Sequence, residues 1–297
     1  MLAADDFVPV TLDDRRFFLN HYAKYPQTHS DNTITNMLCW NHFAHYRFAV
    51  VNGSVLLSST IDGITRFRPP IGPRDPDLVR ALIRFAFQES DNEPVVLIDP
   101  DTASWIRTLC PAVTVVADRN HFEYVYRARD LATLPGGQYL NIRHQLNRFR
   151  NNCAYSVEPI TAGNREEVKY FLIKWCEWKG CENDRVLAHE KDAVFFAIDH
   201  FLELGLSGLI IRVDTIIGAI SLFEPFNADT ALVHFEKGLP DCEGIYKAIS
   251  AETASVLLHD FTYINRESDL GVPGLREAKT RYHPDHMVEV HSIKKAG

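Results

Sequence analysis

The sequence predicts an α/β protein made of two domains that share one order of elements. Three observations predict it. Segments that alternate apolar and polar residues are interleaved with segments of helical period, the same order of elements returns after residue 153, and the turn tract Leu134-Pro135-Gly136-Gly137 separates the two runs. The halves are alike in the order of their elements, not in residue identity.

Phe7 to Thr11 alternates and is rich in β-formers, and Leu12 to Ala23 has helical spacing with Asp13 and Asp14 in its first turn, where carboxylates suit the helix dipole. Ser30 or Asp31 caps a second helix that runs through Trp40 to Phe43. Phe48 to Val51, a turn at Gly53 and Val55 to Ser59 read as a hairpin, and Gly63 to Arg68 as a third strand that runs into Pro69-Pro70. After Asp75-Pro76 the residues Leu78, Leu82, Ile83, Phe85 and Ala86 keep a helical period, with Pro at the first position where its missing N–H costs nothing. Pro94 to Ile98 is a buried strand, Thr102 to Leu109 a short helix, and Val113 to Ala117 with Glu123 to Arg127 supply closing strands. In the second half Tyr155 to Ile160 is a strand and Arg165 to Trp178 and His189 to Leu204 are helices. Strands follow at Leu209 to Val213, Ile216 to Phe223 and Thr230 to Phe235, then the long helix Gly244 to Leu258. Phe261 to Asn265 is a strand, Pro273 to Thr280 a short helix, and Met287 to Ile293 alternates as one last strand. The polar helix Gln138 to Asn151 joins the halves. The expected division is 1–133, a linker helix at 134–152, and 153–297, with the active site on the second domain.

With 297 residues, 46% apolar and 24% charged, the chain has the composition of a soluble globular protein. Its apolar runs, such as Val194 to Ile198, fall far short of the roughly 20 residues a bilayer span needs, and no basic-then-apolar leader opens at Met1. A cytoplasmic chain is expected. The six cysteines include no C-x-x-C pair and no even-spaced framework, which predicts reduced thiols, with Cys176 and Cys181 inert. The net charge of −8 argues against a protein coated in basic surface, but residues 139–150 hold three basic and no acidic side chains, and 271–297 hold five and three. That pattern fits one local anion, or solvated helix faces.

A succession of three strands, helix, strand, helix and strand is the layout of the N-acetyltransferase (GNAT) fold. By that analogy the chain is two tandem GNAT-like domains, mixed sheets flanked by helices. The C-terminal motif narrows this further. Tyr263-Ile264-Asn265-Arg266-Glu267, Asp269-Leu270-Gly271, Pro273-Gly274-Leu275-Arg276-Glu277-Ala278-Lys279, Tyr282 and Pro284 resemble the phosphatidylglycerol lysyltransferase C-terminal-domain family. Further matches are Tyr139-Leu140 with Arg143, Arg148 and Phe149, then His234-Phe235-Glu236-Lys237 with Gly244-Ile245-Tyr246, then Pro70-Ile71-Gly72 and Asn36 to Trp40. The likeness spans nearly the whole chain and is most specific at its C-terminal stretch. It implies a soluble half that transfers an aminoacyl group from tRNA to a phosphatidylglycerol hydroxyl. The helix with Leu275, Arg276 and Lys279 also looks like the Fem-type peptidoglycan aminoacyltransferases, which place a lysine there to support the tetrahedral intermediate.

Acyl transfer needs a place for the developing oxyanion, a base for the acceptor and a clamp for the leaving group. Lys279 and Arg276, three apart on one helix, can present two cations to one anion; the alternative is an exposed basic face with weak ion pairs. Lys279 is the first catalytic candidate. Glu236 is the second, matched by the family and sharing a strand face with His234, against the alternative of a structural carboxylate partnered nearby. Asn265, Arg266, Glu267 and Asp269 lie at a strand end entering a Gly-flanked loop, where side chains contact ligands or merely satisfy loop amides. Tyr246 and Tyr282 complete the candidate substrate-binding set through the family match. Arg143, Arg148 and Arg150 on the linker helix are candidate tRNA contacts or the solvated face of a linker. The loop from Lys237 to Gly244 lacks the spacing of the acetyl-CoA pyrophosphate loop and carries Asp241 and Glu243 where phosphate would be repelled. Acyl-CoA-dependent N-acetylation, using CoA or acetyl-CoA, is therefore the alternative reading, and a non-enzymatic binding module the third. The leading reading needs no cofactor. In His283-Pro284-Asp285-His286 the proline breaks the helix that would align the imidazoles, so no metal is predicted. Trp175 and Trp178 with Phe171 and Leu172 read as a core stripe.

Overall fold

The structure, a computed structural model, describes residues 2–90 and 93–294. In chain order its strands and helices are β1 (Val8–Pro9), α1 (Arg15–Tyr22), α2 (Ile34–Cys39), α3 (Asn41–Ala44), β2 (Arg47–Val51), β3 (Ser54–Ile61), β4 (Ile64–Phe67), α4 (Pro76–Glu89), β5 (Val95–Ile98), α5 (Pro100–Leu109) and β6 (Thr114–Ala117). There follow β7 (Glu123–Arg127), α6 (Ala128–Thr133), α7 (Leu140–Asn152), β8 (Tyr155–Pro159), α8 (Arg165–Lys179), α9 (Arg185–Asp199), β9 (Ser207–Val213), β10 (Ile216–Pro225) and β11 (Thr230–Gly238). The last are α10 (Ile245–Leu257), β12 (Tyr263–Ser268), α11 (Pro273–Thr280), β13 (His286–Val288) and β14 (His291–Lys294).

The chain divides into two compact units. The first holds Met1–Phe122, Ser268–Val272 and Val288–Gly297, the second Glu123–Glu267 and Pro273–Met287. Each has one seven-stranded mixed sheet, in the orders β1-β2-β3-β4-β5-β14-β6 and β8-β9-β10-β11-β12-β7-β13. The orders match strand for strand, with one exchange: the sixth place in each sheet is filled by the strand that closes the other half of the sequence. The boundaries expected at 133 and 153 therefore differ from the compact units. The single strand expected from Met287 to Ile293 is two strands, because the chain bends at Glu289-Val290 and β14 pairs with β5 and β6.

In the first unit α4 packs Leu78, Leu82 and Ala86 onto Leu56, Phe67, Val95 and Ile293. Its N-terminus is closed by its own cap, as Asp75 accepts from the amides of Asp77 and Leu78 at 3.0 Å each. The preceding Pro-rich turn folds back on β3 through an Ile71–Val55 bridge, and a Cβ at Gly72 would lie 2.4 Å from the Ser54 hydroxyl.

In the second unit α10 presents Ala248, Ala251 and Ala254 to a core that includes Ala219, Ala231, Val233 and Ile264. Small residues let the helix lie close to the sheet. Gly244, with φ +90°, caps α10, and a Cβ there would meet the Gln145 carbonyl oxygen of α7 at 2.4 Å. The same convergence corrects the expectation of reduced thiols: Cys153 at the end of α7 is disulfide-bonded to Cys242, with Cα atoms 6.4 Å apart, and Cys176 to Cys181 at 5.2 Å. Cys39 and Cys110 are thiols. Trp178 also departs from expectation. Trp175 is buried, but Trp178 is 45% exposed with the Lys179 ammonium 4.4 Å above its ring.

Candidate active site

Two irregularities open the second sheet. β11 and β12 run parallel and pair only from Thr230–Tyr263 to Leu232–Asn265. Beyond that the two strands part. On its other edge β11 carries a bulge: Phe235 faces Leu222 and Val233 faces Phe223, leaving His234 as the extra residue. The bulge reverses the alternation, so Val233 lies in the core with α10, Glu236 reaches Arg266, and Lys237 points to α8 and α9.

Arg266 forms an ion pair with Glu236, and both side chains are largely buried. Its guanidinium lies 5.1 Å from the Tyr282 ring and 5.9 Å from that of Tyr126. Burial pushes the Tyr282 hydroxyl up to about 12, against the pull of Arg266, and Ser250 hydrogen-bonds the same hydroxyl. Lys247, in the first turn of α10, holds its ammonium 5.0 Å from the Tyr282 ring. Burial and the charge of Arg266 lower its pKa, and Glu236 partly restores it.

On the other face of β11 the buried Lys237 ammonium meets Glu190 at 2.6 Å and the Trp175 ring at 4.3 Å. Desolvation holds its pKa below the usual lysine value despite Glu190. Trp175 donates to the Tyr246 hydroxyl at 3.0 Å, which ties the candidate Tyr246 to α8. At the bulge, burial opposes charge on His234, but Glu224 at 3.0 Å and Glu267 at 3.2 Å prevail and raise it to about 9. Strands β10, β11 and β12 are thus cross-linked by a carboxylate–imidazolium–carboxylate bridge where the sheet parts.

Lys279 donates to the carbonyl oxygens of Arg266 and Glu267, the latter at 3.1 Å, and its own carbonyl accepts from Tyr126 at 2.8 Å. Its ammonium is thus fixed at the end of β12. Arg276, one turn earlier on α11, is half-exposed. Asn265 donates to Glu123 at 2.7 Å and accepts the Glu267 amide at 2.8 Å, which holds Glu267 at φ +59°. Asp269 belongs to the first unit, where its wholly buried carboxylate takes Arg119 at 3.1 Å and the Gly271 amide at 2.9 Å. The structure therefore brings together Glu236, Arg266, Tyr282, Glu267 and Lys279, and gives Asp269 a loop-building partner. Sequence reasoning missed Lys247; the signal was a cation three residues into the helix that begins after Gly244.

The three linker-helix arginines have local partners. Arg143 donates to the carbonyls of Leu134 and Gly136, Arg148 pairs with Glu243, and Arg150 meets Glu252 at 3.4 Å. The Arg148–Glu243 pair fastens α7 to the loop before α10. In that loop Leu239 gives its amide to Gly218 and Pro240 has none. Of the two imidazoles that flank Pro284-Asp285, His283 contacts the Gln138 carbonyl at 3.3 Å and His286 contacts Asp285 at 2.9 Å.

Among the described residues no helix is long and apolar enough to cross a membrane. No curated protein sequence matches the chain. A conserved protein of unknown function from Bacteroides thetaiotaomicron superposes with TM-score 0.89 at 29% identity, over 98% of this chain and 99% of that one. L-PGS from Bacillus licheniformis gives TM-score 0.65 at 12% identity, over 95% and 92%. A tandem GNAT protein from the clavulanic acid biosynthesis pathway gives 0.51 at 10%, over 98% of both, so the fold is tandem GNAT-like. Residues 22–293 match the family described as phosphatidylglycerol lysyltransferase, C-terminal, and the chain belongs to that family.

Proposed function

We propose that this chain is an acyltransferase that moves an aminoacyl group from aminoacyl-tRNA to an amine or hydroxyl of a small-molecule or lipid acceptor. The observation that carries the reading is Glu236, a carboxylate held by Arg266 where β11 and β12 part, with the Lys279 ammonium fixed at the neighbouring strand end. The acceptor nitrogen or oxygen attacks the ester carbonyl carbon and its proton passes to Glu236. The positive charge of Lys279 supports the oxyanion of the tetrahedral intermediate. The carbon–oxygen bond to the terminal ribose then breaks, and the ribose oxygen takes up a proton. Glu267 faces the substrate ammonium, and Arg276 the donor's anionic end. Family membership supports the donor and acceptor classes. The reaction needs no cofactor.

The test offers the purified protein tRNA charged with radiolabelled amino acids, with either phosphatidylglycerol vesicles or free amines as acceptor. Label should leave the tRNA, and Glu236→Gln should slow transfer by about 10²–10⁴ with folding intact. Transfer from acetyl-CoA with charged tRNA inert would overturn the reading in favour of N-acetylation. Inertness to both donors would favour a binding module.

A further inference from the structure

We propose that Lys247 and Arg266 form a subsite for a single phosphodiester anion, over the ring of Tyr282. The inference deepens the acyl-transfer reading and rests on it for which substrate brings the phosphate. The charge balance that motivates it is independent of that reading. Two cations share one buried ring, with Lys247 at 5.0 Å and Arg266 at 5.1 Å from its centroid. Only Arg266 has a carboxylate, Glu236. The Lys247 ammonium has no hydrogen-bonding or ion-pairing partner among the described residues, although it is half-buried. The nearby Arg281 adds no net charge, because Glu277 neutralises it at 2.5 Å.

Lys247, Arg266 and Glu236 therefore leave one positive charge uncompensated, in partial burial, beside the proposed base. A monoanion restores neutrality; a dianion would overshoot it and meet Glu236. A phosphodiester is the monoanion that both substrate classes carry, the tRNA acceptor end in its backbone and a phospholipid in its headgroup linkage. Arg266 can offer such a group its remaining guanidinium hydrogens and Lys247 its ammonium. Lysine suits this place because a compact ammonium can meet one oxygen while the ring shields its other side. Occupation would raise the Lys247 pKa toward its ordinary value, since a bound anion would oppose the burial and the Arg266 charge that now hold it down.

The experiment measures binding by calorimetry at low salt, using three probes: an uncharged CCA-ended acceptor minihelix, monomeric short-chain phosphatidylglycerol, and glycerol lacking phosphate. Wild type should bind at least one phosphodiester probe and not glycerol. Lys247→Gln should weaken that binding by about 10- to 100-fold, as loss of one charge-assisted contact does, and Lys247→Arg should restore most of it. The probe that responds identifies the source of the phosphate. Equal affinity in wild type and Lys247→Gln, with unchanged melting temperatures, would overturn the proposal, as would failure of both phosphodiester probes to bind wild type. Neither probe carries an aminoacyl group, so a failed transfer assay beside Lys247-dependent binding would remove the acyl-transfer reading alone.

Discussion

The two units place equivalent strands in equivalent order, yet treat the turn after the fourth strand in opposite ways. In the first unit that turn is Pro-rich, is bridged to β3, and leads into a helix whose own Asp75 takes the first amides. In the second unit the corresponding strand carries a bulge, three buried or largely buried ionic side chains at His234, Glu236 and Lys237, and a partner strand that departs from it. Both sheets part at this place, since β4 and β5 pair only at Phe67–Val95, but the first opening is followed by a Pro-rich turn bridged to β3 and the second is lined with charge. The difference teaches that the topology supplies the opening but residue choice decides whether chemistry can occupy it.

The largest effect is expected where the units are most alike. Ile293 is wholly buried in the first sheet, pairing with Val95 and Val115. Ile293→Asp should cost about 4 kcal/mol or more and abolish amide protection at 47–61, while 207–238 stay protected. Loss of protection at 207–238 instead would break the assignment of the last strand to the first unit. Next comes the charged opening: Arg266→Met strands Glu236 in a largely buried place and should cost about 3–5 kcal/mol in denaturant titrations, most of it regained when Glu236 is also replaced by Met. The first unit also buries an arginine, Arg68 at the end of β4, but against neutral groups, the Ser59 hydroxyl at 2.7 Å and the Tyr46 ring at 5.4 Å, and Arg68→Met should cost only about 1–2 kcal/mol. Equal costs would erase the contrast. The smallest effect concerns His234. Its folded value of about 9 exceeds an unfolded value of about 6.5, so its contribution is complete below about 6.5 and is lost as pH rises through about 9. Denaturant midpoints should fall over that window in wild type and fall less in His234→Gln; parallel curves would dismiss the bridge as a stabilising element.

The helices and central strands were legible because their periods are strong: α4 and α11 occupy the segments that Pro76 and Pro273 announce. The strand exchange was not legible, since pairing partners leave no mark on the period of β7 or β14. The shift of face at Glu236 was likewise hidden, because a bulge depends on the register of two strands and not on one. Glu236, Arg266 and Lys279 were found through family likeness, whereas Lys247 looks like any surface lysine until Tyr282, thirty-five residues later in sequence, is placed beneath it. The disulfide between Cys153 and Cys242 escaped for the same reason, a contact across 89 residues.

The exchange of sixth strands bears on how the protein is made. Residues 291–294 fill the gap between β5 and β6, so a ribosome that has delivered the whole first half still holds a sheet with its sixth place vacant. That edge waits through the synthesis of residues 134–290 before it can close. The second sheet has its borrowed strand, β7, from the outset. The half translated first is therefore the half completed last, and it is the one whose nascent form chaperones must guard.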